Sequence, residues 1–366
     1  MFNYQQRVTH AQELMHQVGI SALLVSAPAD LLYLIGYNFH TSERLTLLII
    51  PRQGSPSIVM PQFEASRLTA AQGFLKVHPW TEVEDPLGIA LEVVDRQAAG
   101  ARLAVSDQMW AGFLVGMLER FGDVRFVNAE QIITPMRMVK DQDELAALER
   151  AQHIVDEAFE KICASPFAGR TELSIQEELG ALRKERGLAD CFNGIVGSGP
   201  QNSASPHHHT GERVIQKGDA VVLDFGGNYQ GYKADITRTV HVGPPSQKYR
   251  DVYAVVEAAH QAAFNAYKPG ASCESVDQAA RAVIEKAGFG QYFTHRLGHG
   301  IGLDEHEPPY LVKGNRLPLQ ENMTFSDEPG IYIAGEFGVR IEDIVTVTAT
   351  GARRFNRSTH DLILVD

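Results

Sequence analysis

Ala220-Val-Val-Leu-Asp224-Phe-Gly-Gly-Asn-Tyr-Gln-Gly231-Tyr-Lys-Ala-Asp235-Ile-Thr-Arg-Thr239 places one acid at the end of an apolar run and a second acid inside the next. An ionised carboxylate at the end of a buried strand is costly unless it is paired or coordinated. Gly226, Gly227 and Gly231 lie between the two acids, so the stretch reads as strand, glycine-bearing turn and return strand. Such a hairpin brings both carboxylates to one side of a sheet. Read alone, the stretch equally allows two strand-end aspartates paired with Arg238.

Further along, Gly298-His-Gly-Ile-Gly302-Leu-Asp-Glu-His306-Glu-Pro-Pro309 sets two histidines in a glycine and proline frame, with His295 four residues before His299. Glycine lets backbone approach closely, and proline stops a helix. A histidine held in such a loop suits metal ligation or acid/base work. Two further acids stand in short contexts of their own. Glu328 lies in Asp327-Glu-Pro-Gly330, before Ile331-Tyr-Ile333, and Glu342 lies in Gly338-Val-Arg-Ile-Glu342-Asp343. Singly, Glu328 reads as a turn residue and Glu342 as a strand charge paired with Arg340.

Composition sets outer bounds. The chain has 366 residues, enough for two domains with substantial cores. A formal net charge of −12 argues against a nucleic-acid partner or an anionic membrane surface, both of which select basic patches. Three cysteines, Cys163, Cys191 and Cys273, form no close pair, so neither a disulfide framework nor a four-cysteine zinc site is expected. A reducing cytoplasmic setting follows as the expectation. The first residues lack the basic-then-apolar pattern of a signal peptide, and no apolar run reaches membrane-spanning length.

The first part of the chain alternates helical and strand periods. Tyr4–Val18 has helical spacing, with Leu14, Met15 and Val18 on one side. Ile20–Val25, Leu45–Ile50, Ser57–Met60 and Leu103–Val105 read as strands, with helices at Glu64–Ala71 and Ala111–Phe121. This pattern predicts an α/β layer domain. A break at Thr134-Pro135 puts the domain boundary at about 135, giving domains 1–135 and 136–366. Asp141–Glu144 then opens a long helix with an acidic first turn. Helices at Ser174–Arg186, Tyr249–Tyr267 and Ser275–Lys286 alternate with strands at Ala220–Asp224, Ala234–Val242, Ile331–Ile333 and Ile344–Thr348. The second domain therefore reads as α+β.

Taken together with Asn202-Ser-Ala-Ser-Pro-His207, these stretches resemble, from about Phe192 to the end, the pita-bread metallopeptidases: methionine aminopeptidase, aminopeptidase P and Xaa-Pro dipeptidase (prolidase). The resemblance implies that Asp224, Asp235, His299, Glu328 and Glu342 match the family's five ligands to two metal ions. It implies that His207 and His306 match its active-site histidines, and that His295 and Arg340 match residues near the site in the proline-specific branch. Tyr332 is assigned with them to the substrate side. Arg7, Ile20–Val25 and Asp30-Leu-Leu-Tyr-Leu-Ile-Gly36 are similar to the creatinase/prolidase N-terminal domain. The fold so implied is an α/β N-terminal domain followed by a pita-bread catalytic domain, in a homodimer.

The chemistry follows from the residue types. Bridging carboxylates can hold two cations roughly 3.5–4 Å apart, and a water between them loses a proton near neutral pH. The resulting hydroxide would attack the scissile carbonyl, with Glu328 as proton carrier. His207 and His306 would donate to the oxyanion, each such donor being worth about 3 kcal/mol of barrier. Thr237 and Asp343 are expected to orient ligands. Mostly oxygen ligands favour manganese, while the histidine permits cobalt, iron or zinc. The expected reaction is hydrolysis of the Xaa-Pro bond in a small peptide with proline second, a dipeptidase being favoured. Aminopeptidase P activity on longer peptides and a metal-dependent amidohydrolase of an amino-acid derivative are the alternatives. A binding protein that reuses the fold would be expected to have lost ligands.

Overall fold

The computed structural model describes residues 2–68, 71, 73–94, 100–189 and 194–366. Cys191 and Phe192 lie outside the described residues. The chain forms two compact units, Met1–Arg137 and Met138–Asp366.

The first unit is built on a six-stranded mixed sheet. Its strand order is Lys76–Trp80, Ser57–Pro61, Leu47–Pro51, Ala22–Val25, Ala101–Val105, Val124–Asn128. Ala22–Val25 runs parallel to Ala101–Val105 but antiparallel to Leu47–Pro51. Leu24, Leu47, Val59 and Leu103 of the sheet pack with Met117 and Phe121 in one core. The Tyr4–Val18 helix starts on Asn3, whose side chain accepts from Gln6 N, and stops at Gly19 in the left-handed conformation. Met15 is buried there, but Val18 at the frayed end is exposed.

Two expectations for this unit are corrected, and one helix is added. The helix expected at Glu64–Ala71 is a 3-10 turn over Gln62–Arg67, and 69 and 70 lie outside the described residues. Asp30–Ile35 belongs to a helix, Pro28–Ile35, that its continuous apolar run conceals. Pro135 does not break the chain: it sits inside the Glu130–Met138 helix, and the two units divide after Arg137.

The second unit opens with the Gln142–Cys163 helix. It is closed at its start by a capping box in which Asp141 and Glu144 each accept the other's backbone N–H at 2.8 Å. Two sheets follow. One has the order Leu364–Val365, Tyr232–Val242, Ala220–Tyr229, Ile195–Ser198. The other has the order Glu307–Leu311, Gly298–Gly300, Thr324–Asp327, Asp343–Val347, Ala352–Arg354. The first sheet shares a core with the Gln142–Cys163 and Glu172–Glu185 helices through Ile154, Phe159, Leu179, Leu223 and Ile236. The second shares a core with the Gln247–Ala266 and Cys273–Lys286 helices through Val256, Ala280, Phe325 and Val345. An isolated antiparallel bridge from Thr237 to Glu342, just before the Asp343–Val347 strand, links the first of these sheets to the second. No helix among the described residues is long and apolar enough to cross a membrane.

The opening hairpin is longer than its sequence pattern predicts. Gly226 and Gly227 lie within the Ala220–Tyr229 strand, and the turn is Gln230-Gly231, both at positive φ (54° and 94°). Two left-handed residues are what a tight hairpin turn needs, and glycine takes one at no steric cost.

Candidate metal centre

The hairpin register decides which acids meet. Asp224 faces Thr237, and Gly226 faces Asp235. Side chains two apart on a strand share a face, so Asp224 and Asp235 lie diagonally on the same face. Glu342 arrives on that face by its bridge to Thr237, whose hydroxyl donates to Glu342 Oε2 at 2.6 Å. From the second sheet comes His299. Its strand is packed so tightly that a Cβ at Gly298 would lie 2.0 Å from Ser326 O, and one at Gly300 2.6 Å from Glu307 O. Glycine on both sides is therefore a packing requirement.

Asp235, His299 and Glu342 bring ligand atoms within 4.8 Å of one another, all buried. His299 Nε2 stands 3.4 Å from Glu328 Oε1. These four residues line a cavity of about 610 Å³ together with Asp224, His207, His295, His306 and Arg340. His299 Nδ1 lies 3.1 Å from Gly300 O, a partner that can only accept. Nδ1 thus carries the proton, and Nε2 turns its lone pair toward the acids. Burial, then the neighbouring His306, lowers the His299 pKa to about 3, so the ring is neutral.

The acids are in the opposite condition. Burial, then Glu342 and Asp224, raises Asp235 well above the usual carboxylate range, and Asp235 Oδ1 has no hydrogen-bond partner among the described residues. Burial, then Glu328 and Asp224, raises Glu342 likewise. Burial lifts Glu328 to about 7 although Arg340 opposes it. Several buried carboxylates beside an orphaned oxygen and an outward-turned imidazole lone pair are what hard divalent cations satisfy, so the residues fit such ions.

One cation already answers part of the charge. Arg340 Nη2 lies 2.6 Å from Asp224 Oδ2, its Nε donates to Thr237 Oγ1 at 3.1 Å, and its Nη1 donates to Tyr332 OH at 2.8 Å. Tyr332 OH lies 2.9 Å from His295 Nε2, while His295 Nδ1 lies 2.8 Å from Arg296 O. The Nδ1 proton goes to that carbonyl, so Tyr332 donates to Nε2. Burial, then Arg340, lowers His295 to about 3 and keeps it neutral. Tyr332 is therefore behind the cavity wall, between Arg340 and His295, rather than on the lining.

Two sequence alternatives fall away. Arg238 pairs with Asp343, at 2.6 Å, and Arg340 with Asp224 rather than Glu342. Thr237 orients Glu342 as expected. Asp343 is corrected: its carboxylate turns from the cavity to Arg238, Arg354 and His360. Burial pushes Asp343 up, but Arg238 and His360 outweigh it and hold it well below the usual range. His260, Asp343 and His360 also bring ligand atoms together, but two guanidiniums already neutralise that carboxylate.

Two charged lining residues escaped the sequence reading, Arg296 and Glu305. Each adjoins a histidine that was noticed, and that adjacency was the available signal. The Arg296 guanidinium lies 4.1 Å over the Tyr310 ring. Burial, then Asp224, raises the Glu305 pKa.

A pita-bread α+β unit with acids and an imidazole around one cavity, preceded along the chain by an α/β unit, is the architecture of a two-domain metal-dependent peptidase. The chain belongs to metallopeptidase family M24, whose model matches residues 146–349; the Creatinase/Prolidase N-terminal domain matches residues 7–139. The probable dipeptidase PepE of Mycobacterium tuberculosis is 40% identical over 366 residues, covering 99% of this chain and 96% of that one. The Xaa-Pro dipeptidase of Lactobacillus helveticus is 34% identical, covering 93% and 94%. Among solved structures, recombinant prolidase from Thermococcus sibiricus superposes with a TM-score of 0.95 at 36% identity, covering 100% of both chains.

Proposed function

We propose that the chain is an Xaa-Pro dipeptidase that works with two divalent cations, its catalytic part being the second unit, Met138–Asp366. The observation that carries the reading is the convergence of Asp235, His299 and Glu342 within 4.8 Å, with His299 Nε2 free to coordinate. Asp224, Asp235, His299, Glu328 and Glu342 would hold the ions. When bound, such ions acidify a water and polarise the scissile carbonyl. Glu328 takes the proton from the attacking water and passes it to the leaving proline nitrogen. His207 and His306 donate to the carbonyl oxygen as it gains charge. His295, Tyr332 and Arg340 hold the wall on the substrate side through their hydrogen-bond relay.

The name of the Mycobacterium relative supports a dipeptide, and those of the Lactobacillus and Thermococcus relatives support proline as its second residue. Arg296 supports a dipeptide over a longer peptide. Its guanidinium stacks on Tyr310 inside the cavity, and a planar fork of donors suits the free carboxylate one residue past the scissile bond. Manganese is the favoured ion because oxygen donors dominate, with cobalt or zinc next. The reading goes with a cytoplasmic homodimer, for which the free thiols Cys163 and Cys273 suit a reducing setting.

Manganese-loaded protein assayed on Ala-Pro, Ala-Pro-Pro, Ala-Ala and an N-acyl amino acid tests this. Cleavage of Ala-Pro alone is the expected result. Preference for Ala-Pro-Pro would make the enzyme an aminopeptidase P, and cleavage of the N-acyl compound alone would make it an amidohydrolase. Light scattering checks the dimer.

A further inference from the structure

His207 is exposed, on a loop without regular structure, and no hydrogen bond to its side chain appears among the described residues. A group that must meet a reacting carbonyl within a few tenths of an ångström needs its position fixed by something. Its neighbours on either side supply this. Before it, Pro206 O accepts from Arg340 Nη1 at 3.3 Å. After it, His208 Nε2 lies 2.8 Å from Glu172 Oε2.

Glu172 is the unusual member. It sits in the first turn of the Glu172–Glu185 helix, and its carboxylate is fully buried. Oε1 accepts from Ser198 N at 2.7 Å, from Ser198 Oγ at 2.7 Å and from Asn202 Nδ2 at 2.9 Å. Oε2 accepts from His208 and, at 3.4 Å, from Gly211 N. One carboxylate thus gathers donors from the start of the 198–211 segment and from the residues just past His207. The same segment begins in the Ile195–Ser198 strand, where Ile195 faces Asp224. The clamp therefore ties the loop to the strand that pairs with the one carrying Asp224. Hydrogen bonds to an ionised acceptor are shorter and stronger than those between neutral groups.

We infer that Glu172 is a positioning residue for His207: through His208 and Ser198 it fixes the loop that presents His207 to substrate. This rests on the reading that His207 meets the substrate. Glu172→Gln swaps one acceptor oxygen for a donor facing donors. His208→Ala removes one contact at a half-buried site and is the milder second variant.

The experiment compares both variants with the parent on Ala-Pro, alone and in a His207→Ala background, with bound manganese counted. Glu172→Gln is expected to lower kcat/KM about tenfold or more with cation content unchanged. It is expected to have little further effect once His207 is gone, because residues acting through one another are not additive. An equal loss in both backgrounds would overturn the inference. Backbone amide exchange reads the same point without activity. Faster exchange over 203–211, with 224–235 unchanged, supports the clamp, and unchanged exchange over 203–211 sinks it. Should the parent turn over none of the peptides, the functional reading fails while the exchange result still decides the role of Glu172.

Discussion

Arg340 reaches Asp224 at 2.6 Å and, with the other nitrogens of the same guanidinium, reaches Tyr332, Thr237 and Pro206 O. Four acceptors spread around one plane are a geometry that a lysine ammonium cannot reproduce. Arg340→Lys is expected to lower kcat/KM roughly 100-fold, the upper range for groups that orient ligands. Steady-state kinetics at saturating manganese check it, and a loss under threefold would contradict this account of the wall.

Asp235→Ala and Glu328→Ala are expected to abolish turnover, for separate reasons. The first removes a cation ligand, so bound metal should fall with activity. The second also removes the proton carrier. Metal analysis beside the assay should show bound cation falling in both variants, and retained activity in either would remove the two-cation mechanism.

Chelation should lower the melting temperature, and added manganese should restore it. Buried acids that repel one another destabilise the metal-free fold, and a ligand at 100 times its Kd adds about 2.7 kcal/mol. Calorimetry with and without manganese measures the shift; an unchanged Tm would count against a cation in this cavity.

Arg296→Ala is expected to raise KM for Ala-Pro about tenfold, as loss of a charged hydrogen bond does, and to leave kcat within a few-fold. KM for the C-terminal amide of the same dipeptide, which lacks the carboxylate, should not change. Equal effects on both substrates would show that Arg296 does not read that carboxylate.

Burial alone would raise Glu172, but hydrogen bonds from Ser198, Asn202 and His208 outweigh it and hold its pKa below the ordinary glutamate value. A folded-state pKa below the unfolded one gives stability that is present above about pH 4.3 and is lost as pH falls through the folded value. The Tm gap between the parent and Glu172→Gln should therefore be flat from pH 8 to 5 and close below pH 4. A gap that widened in acid would reverse the sign of this linkage.

Much of the fold is legible in local pattern. The long helices of the second unit follow from period and caps, Asp141 with Glu144 being the clearest case. The acids and histidines stand out because glycine and proline frame them. What stays hidden is set by partners distant in sequence. The edge strands Lys76–Trp80 and Val124–Asn128 carry few buried residues and so show no apolar run. Pro135 is tolerated within a short helix, against its usual effect. Glu172 looks like any first-turn acid until Ser198 and His208 are folded against it. Arg296 gains meaning only from Tyr310 beneath it.

Asp327 faces Asp343 across paired strands, while their neighbours Glu328 and Glu342 line the cavity. The strand pair thus works as a partition. On one side acids stand in excess, and on the other Arg238 and Arg354 balance Asp343. Because side chains alternate with a period of two, this segment obeys a parity rule. Inserting or deleting one residue between Thr324 and Glu328, or between Glu342 and Val347, would send an aspartate to the cavity and a glutamate to the arginines. Two-residue changes would keep the sides straight. The turn at 334–336 lies outside the partition, so this parity rule does not reach it.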